Sequence, residues 1–76
     1  MYRRMLVQAM KLGDTALASG GYTDAVKHYT AAIEADPKGA LGYSKRATAY
    51  MQRKENERAL RDYRTATEVG TMLALI

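Results

Sequence analysis

Ala25-Val26-Lys27-His28-Tyr29-Thr30-Ala31-Ala32 is written a second time as Ala59-Leu60-Arg61-Asp62-Tyr63-Arg64-Thr65-Ala66. The first alanine, the aliphatic residue after it, the tyrosine and the closing alanine all recur at one offset of 34 residues. A fixed period of a few tens of residues marks an array of units, each burying its apolar face against the next. Within each copy these residues stand three or four apart, the spacing of one helix face. Alanines let two helices approach closely. A tyrosine between them fills the remaining space, and its hydroxyl can reach the rim for a hydrogen bond. Such arrays present surfaces that hold a partner.

Glycine and proline divide the rest of the chain into four helix-length segments. Tyr2 to Ser19 carries Met5, Ala9, Leu12 and Ala16 at helical spacing and stops at Gly20-Gly21. Tyr22 to Ala35 is the second segment, with Thr23 or Asp24 able to accept from its free N–H groups. Asp36-Pro37 ends it, because a residue before proline is pushed out of helical angles, and Lys38-Gly39 makes the turn. The third segment runs from Ala40 to Arg53 with Tyr43, Ala47, Tyr50 and Met51 on one side. Gly42 near its start costs about 1 kcal/mol relative to alanine. Asn56 is placed to cap a fourth helix carrying Ala59, Leu60, Tyr63, Ala66 and Val69. Gly70 suits the position just past its end, so Thr71 to Ile76 is expected to begin another helix. No stretch alternates β-branched and polar residues. The fold class is all-α: one domain over residues 1–76 made of two tandem helix–turn–helix units, plus the start of a C-terminal helix.

At 76 residues the chain forms one small domain, with a core that is marginal without help. It has no cysteine, which excludes disulfides and thiolate metal sites and fits a reducing compartment, so the cytoplasm is favoured. Apolar residues make up 47%, as in folded chains. The longest apolar run, Met72 to Ile76, is far too short to span a bilayer. Arg3-Arg4 precedes a short apolar stretch broken by Gln8 and Lys11, which does not make a signal peptide. The net charge of +4 argues for solubility more than for nucleic acid.

These residues resemble the tetratricopeptide repeat family, whose 34-residue helix–turn–helix unit has a recognisable pattern of small and aromatic positions. A first unit over about residues 6–39 carries Leu12-Gly13, Gly20, Tyr22, Ala25, Tyr29, Ala32 and Pro37 where the family pattern has them. Ala9 replaces its early aromatic and Ala16 a tyrosine. A second unit over about residues 40–70 keeps Tyr43, Ala47, Tyr50, Ala59, Tyr63 and Ala66. It departs at Arg46 for Leu, Lys54 for Gly, Asn56 for an aromatic and Thr71 for Pro.

The resemblance implies an α-solenoid that binds proteins in a concave groove lined by the first helix of each unit. The groove positions it implies are Val7, Met10, Asp14 and Leu17 in the first unit. In the second they are Leu41, Ser44, Lys45, Thr48 and Met51, with Gln52 beside them. One subset of the family clamps the acidic C-terminal tails of the chaperones Hsp70 and Hsp90 with Lys, Asn and Arg. Charged donors around a terminal carboxylate make short, strong hydrogen bonds. Here Met10 stands for the clamp Lys, Asp14 for an Asn and Lys45 for the second Asn. In an alternative register Gly42 to Ala47 is similar to a third clamp unit; Lys45 then takes the Arg position and Leu41 replaces the Lys. Most of the clamp is missing in either register, so a chaperone tail is not the expected ligand. Met10, Leu17, Leu41 and Met51 suit apolar side chains, as in DnaJ-type co-chaperones of the family, and methionine adapts well at such surfaces. The same residues also suit ordinary inter-helix packing.

No catalytic group is expected, and no cofactor or metal. His28 has neither a nucleophile nor a second ligand nearby in sequence, and the family pattern turns it to solvent. Arg58, Arg61 and Arg64 share a face of the fourth helix, which reads as a solvated outer face with pairs such as Glu57–Arg61. The alternative, an acidic or nucleic-acid partner on that face, is weakened by the lack of interleaved aromatics. Repeat arrays need three or more units with a polar cap. Two units ending in Met72, Leu73, Leu75 and Ile76 therefore belong to a longer array or have that end covered. Self-association through these four residues is the expectation, which makes a homo-oligomer the alternative to a peptide-binding module in a co-chaperone or scaffold.

Overall fold

A computed structural model describes the backbone of residues 2–75 and the side chains of residues 3–71. Four helices follow one another: α1 (Tyr2–Ala18), α2 (Tyr22–Ala35), α3 (Ala40–Gln52) and α4 (Asn56–Leu75). Among the described residues there is no strand. α1 packs on α2, α3 packs on α4, and α2 packs on α3 to join the two pairs.

The turns repeat with the same period as the helices. Gly20 N–H donates to Leu17 O at 3.1 Å and Gly21 N–H to Ala16 O at 2.8 Å. In the second unit Lys54 N–H donates to Met51 O at 2.9 Å and Glu55 N–H to Tyr50 O at 2.9 Å. Both pairs of bonds form a Schellman motif, which closes a helix by putting one residue in the left-handed region. Gly20 does so at φ +82 without steric cost, whereas Lys54 does so at φ 63 with a Cβ in the way.

Two expected caps are made differently. Gly21 is the N-cap of α2 and no side chain caps it; Asp24 sits in the first turn, where its charge suits the helix dipole. Asn56 is itself the first residue of α4, and Ala59 N–H donates to Glu55 O at 3.1 Å. Asp36 ends α2 at φ −145, as a residue before Pro37 should.

The core is built of alanines around one ring. Ala25, Tyr29, Ala32, Ala47 and Ala49 have no exposed surface, and Ala9, Ala59 and Ala66 are buried with them. Met10, Ala16, Leu17 and Val26 pack against the cluster of Ala25, Tyr29 and Ala49. Gly13 lets α1 lie against Tyr29, since a Cβ there would collide with the ring. Gly42 plays a similar part between α2 and α3: a Cβ would stand 3.0 Å from Ile33 Cγ1.

The aromatic positions of the two units differ in burial. Tyr63 is 37% exposed where Tyr29 is fully buried, and Leu60 is 60% exposed where Val26 packs on the core. α3 covers the first pair, but no helix follows α4 among the described residues to cover the second. Met5 and Leu12 are likewise exposed rather than in the core.

Gly70 is not a helix end. α4 continues through it to Leu75 as a single helix, so no new helix starts at Thr71. A terminating glycine needs positive φ, and Gly20 is the described glycine that has it. Gly70 faces open space, so its cost is the usual loss of about 1 kcal/mol relative to alanine, which the surrounding helix absorbs. The self-association residues Met72, Leu73, Leu75 and Ile76 lie outside the residues whose side chains are described.

Candidate functional site: an apolar groove between the two units

Between α1 and the start of α3 lies a groove of ≈ 430 Å³. Leu6, Val7 and Met10 form its α1 wall and Leu41 its α3 wall, while Ala32, Asp36 and Gly39 close the α2 end. Val7 and Leu41 are each 59% exposed. Residues 3, 4 and 7 apart on a helix share a face, so Val7, Met10 and Asp14 follow one line along α1. The groove is therefore an apolar trough with charged groups at its edges, here Lys11, Asp14, Asp36 and Lys45.

Asp14 is the hub of the charged edge. Tyr29 Oη donates to Asp14 Oδ1 at 2.6 Å, and Lys45 Nζ donates to the same oxygen at 2.8 Å. One carboxylate thus ties α1 to α2 within the first unit and to α3 of the second. The bond from Lys45, then that from Tyr29, holds the Asp14 carboxyl below its ordinary range, against a smaller opposing effect of burial. Burial, then the bond to Asp14, pushes the Tyr29 phenol well above its ordinary value. Lys45 and Asp14 keep 31% and 48% of their side-chain surface exposed, so solvent screening limits this pair to about 0–1 kcal/mol. Its local consequence is electrostatic: the cation and the anion of the edge cancel each other.

Of the ten groove positions expected from sequence, Val7, Met10, Asp14, Leu41 and Lys45 come together here. The other five stand elsewhere. Leu17 packs on the core cluster. Thr48 Oγ1 donates to Ser44 O at 3.1 Å and lies 3.1 Å from Tyr63 Oη, which repeats the Tyr29–Asp14 contact one unit later. Met51 is 51% exposed and Gln52 is exposed, both at the far end of α3 from the groove. The reason is geometric: a trough needs two walls, and α3 has a first-helix neighbour, α1, on one side.

One pair was missed by reading the sequence alone. Arg46 Nε donates to Asp62 Oδ2 at 2.7 Å and Nη2 to Oδ1 at 2.8 Å, a two-pronged ion pair between α3 and α4. Nη1 reaches Thr30 Oγ1 on α2 at 3.2 Å. The guanidinium carbon lies 5.7 Å from the Tyr50 ring centre and 5.9 Å from that of Tyr43. Only 19% of the Arg46 side chain and 7% of the Asp62 side chain are exposed. The bonds to Asp62 outweigh burial and raise the guanidinium above its already high range. The signal was in the sequence: Asp62 lies three residues from Ala59 and four from Ala66, on the buried face, where a carboxylate needs a cation.

At the α3–α4 turn the described acid that draws in arginines is Glu55, just before α4. Arg53 Nε is 2.8 Å and Arg58 Nε 3.7 Å from the Glu55 carboxylate, whereas Glu57 and Arg61 form no ion pair among the described residues. The Arg53 contact lacks hydrogen-bond direction, so Glu55 Oε2 is buried and held by charge alone. His28 is half-buried on α2, not turned fully to solvent.

Residues 10–70 match the family profile described as Tetratricopeptide repeat. The chain belongs to the tetratricopeptide repeat family. Tetratricopeptide repeats are non-catalytic protein-interaction modules, and the relatives of this one include a co-chaperone. It is 35% identical over 60 residues to DnaJ homolog subfamily C member 3 of Gallus gallus, covering 79% of this chain and 12% of that protein. It is 41% identical over 56 residues to a tetratricopeptide repeat and J domain-containing co-chaperone of Cryptococcus neoformans, covering 74% and 11%. It is 36% identical over 58 residues to Hsp70-Hsp90 organizing protein 3 of Arabidopsis thaliana, covering 76% and 10%. The chain thus spans about a tenth of the length of these relatives. No helix among the described residues is long and apolar enough to cross a membrane.

Proposed function

We propose that this tetratricopeptide repeat binds an apolar peptide or partner helix in the groove between its units, without catalysis, as part of a co-chaperone or scaffold. The observation that carries this reading is the trough of Leu6, Val7, Met10 and Leu41, aligned along two first helices, with Val7 and Leu41 exposed and Leu6 and Met10 half-buried. Exposed apolar surface in a concave, polar-rimmed setting is the usual mark of a docking site. The co-chaperone relative supports the class of protein. A chaperone-tail clamp is disfavoured on charge: Lys45 already holds Asp14, and Asp14 would repel a terminal carboxylate.

Fluorescence anisotropy with labelled Leu- and Met-containing peptides tests this reading. Micromolar binding to the native chain is expected, with loss of at least about tenfold in the groove variants Met10→Glu and Leu41→Glu, the size expected when a buried apolar contact of ~1.5 kcal/mol is lost. Binding unaffected by both variants, in chains whose helicity is intact, removes the groove as the site.

A second reading is self-assembly through the C-terminal end. It is favoured by Leu60 and Tyr63, which remain exposed on α4 at positions whose first-unit counterparts are covered. Sedimentation at micromolar concentration, with Leu60→Asp as control, separates the two: assembly predicts a concentration-dependent mass that the variant loses.

A further inference from the structure

Beside the apolar groove, and continuous with it, lies a second depression of ≈ 470 Å³ lined by Arg3, Arg4, Val7, Gln8 and Lys11. Val7 and Lys11 belong to both. Arg3, Arg4 and Lys11 are exposed, and none takes part in an ion pair among the described residues. The first turn of α1 holds no acid, and the one acid of that helix, Asp14, is engaged by Lys45 and Tyr29. Within the groove Lys45 is paired with Asp14, whereas no ion pair among the described residues joins Lys11 to Asp36. The flank formed by Arg3 and Arg4 adds positive charge with nothing to offset it. The surface is thus asymmetric: a neutral apolar trough with an uncompensated basic rim along the α1 side.

We propose that the partner is a protein segment whose apolar side chains fill the trough and whose internal Asp or Glu side chains meet Arg3, Arg4 and Lys11. This inference rests on the groove reading above and names the chemistry of its ligand. Arg4 and Lys11 are seven residues apart on a helix that rises 1.5 Å per residue, so their Cα atoms stand on the order of 10 Å apart. Two acids match that span on one side of the ligand when they are three residues apart in a polyproline II segment, which has three residues per turn, or seven apart in a helix. The ligand's own C-terminal carboxylate is not recognised, because Lys45, the cation best placed at the inner edge, already donates to Asp14. A second copy of the chain is a poorer occupant, since a net charge of +4 sets like charges against the rim.

The experiment uses four designed peptides with the same Leu and Met positions. One carries two Glu three residues apart, one carries Gln at both places, one carries Lys, and one is the Glu peptide with an amidated C-terminus. Anisotropy is measured at about 50 mM salt, where exposed charges act over more than about 10 Å. The Glu peptide is expected to bind about tenfold tighter than the Gln peptide, and the Lys peptide weaker still. The double variant Arg4→Glu/Lys11→Glu should invert that order, and amidation should change affinity less than about twofold. Equal binding of Glu and Gln peptides, with Met10→Glu still abolishing both, overturns this inference and leaves the groove reading standing. Loss of binding on amidation overturns it in favour of a terminal clamp. Insensitivity to Met10→Glu overturns the groove reading, and this inference with it.

Discussion

Removing either partner of the Arg46–Asp62 pair should cost more stability than removing both. Arg46→Leu restores the residue type that Leu12 supplies in the first unit, yet it strands a carboxylate that is 7% exposed. Breaking a buried pair from one side costs about 3–5 kcal/mol, because the remaining charge has lost its partner. Asp62→Ala leaves the guanidinium with its bond to Thr30 and the faces of Tyr43 and Tyr50, and 19% of its surface in water. Its cost is therefore lower, about 2–3 kcal/mol. The double variant Arg46→Leu/Asp62→Ala removes both charges and should lose only about 1–2 kcal/mol, so the coupling amounts to at least ~3 kcal/mol. A domain of this size has about 4–11 kcal/mol in all, so each single change is a large fraction of it. Urea unfolding followed by far-UV circular dichroism measures the three variants against the native chain. Additive losses, with a coupling under about 0.5 kcal/mol, would refute the view that the pair is buried and mutually dependent.

Three further expectations follow from the turns and from the Asp14 hub. Lys54→Gly should raise stability by about 0.5–1 kcal/mol in the same unfolding assay, because a side chain leaves the left-handed region at φ 63; no gain would mean the turn relaxes at no cost. Gly13→Ala should lose about 1–3 kcal/mol, since its Cβ runs into the Tyr29 ring, and a neutral result would show that α1 can back away. Asp14 has a lowered folded-state value, so its contribution is present above the ordinary value of 3.8 and is lost as pH falls through the lowered one. Asp14→Asn should flatten that acid limb by less than about 1 kcal/mol, given the exposure of the pair. Thermal melts between about pH 2 and 6 read it, and an unchanged slope would place the acid sensitivity elsewhere.

The elements were legible in the sequence because the period carries them. Ala25, Tyr29 and Ala32 recur as Ala59, Tyr63 and Ala66, and positions that pack by shape leave a pattern of small and aromatic residues. The two Schellman turns were half legible. Gly20 announces its turn by residue type, while Lys54 adopts the same backbone without the residue that signals it. Gly70 misled for the complementary reason: glycine permits a helix end but does not impose one. The groove was visible as a list of positions on two first helices. Which of them share a wall depends on where the helices of the two units lie relative to each other. That separates Met10 and Leu41, which line the groove, from Leu17 and Met51, which do not. Arg46 was read as a departure from a pattern, since its meaning lies in a partner sixteen residues away on another helix.

Lys45 and Arg46 are neighbours on α3, yet they reach back to the first unit on different lines: Lys45 to Asp14 on α1, and Arg46 to Thr30 on α2. Adjacent residues of a helix project about 100° apart, so the two bonds brace α3 like guy ropes set at an angle. Alanine cores alone allow one helix pair to slide and rotate on the next, because small side chains interlock weakly. Two polar bonds of fixed length narrow that freedom. The angle between the units, and with it the width of the trough, is held jointly by these bonds and by the close approach of Gly42 to Ile33.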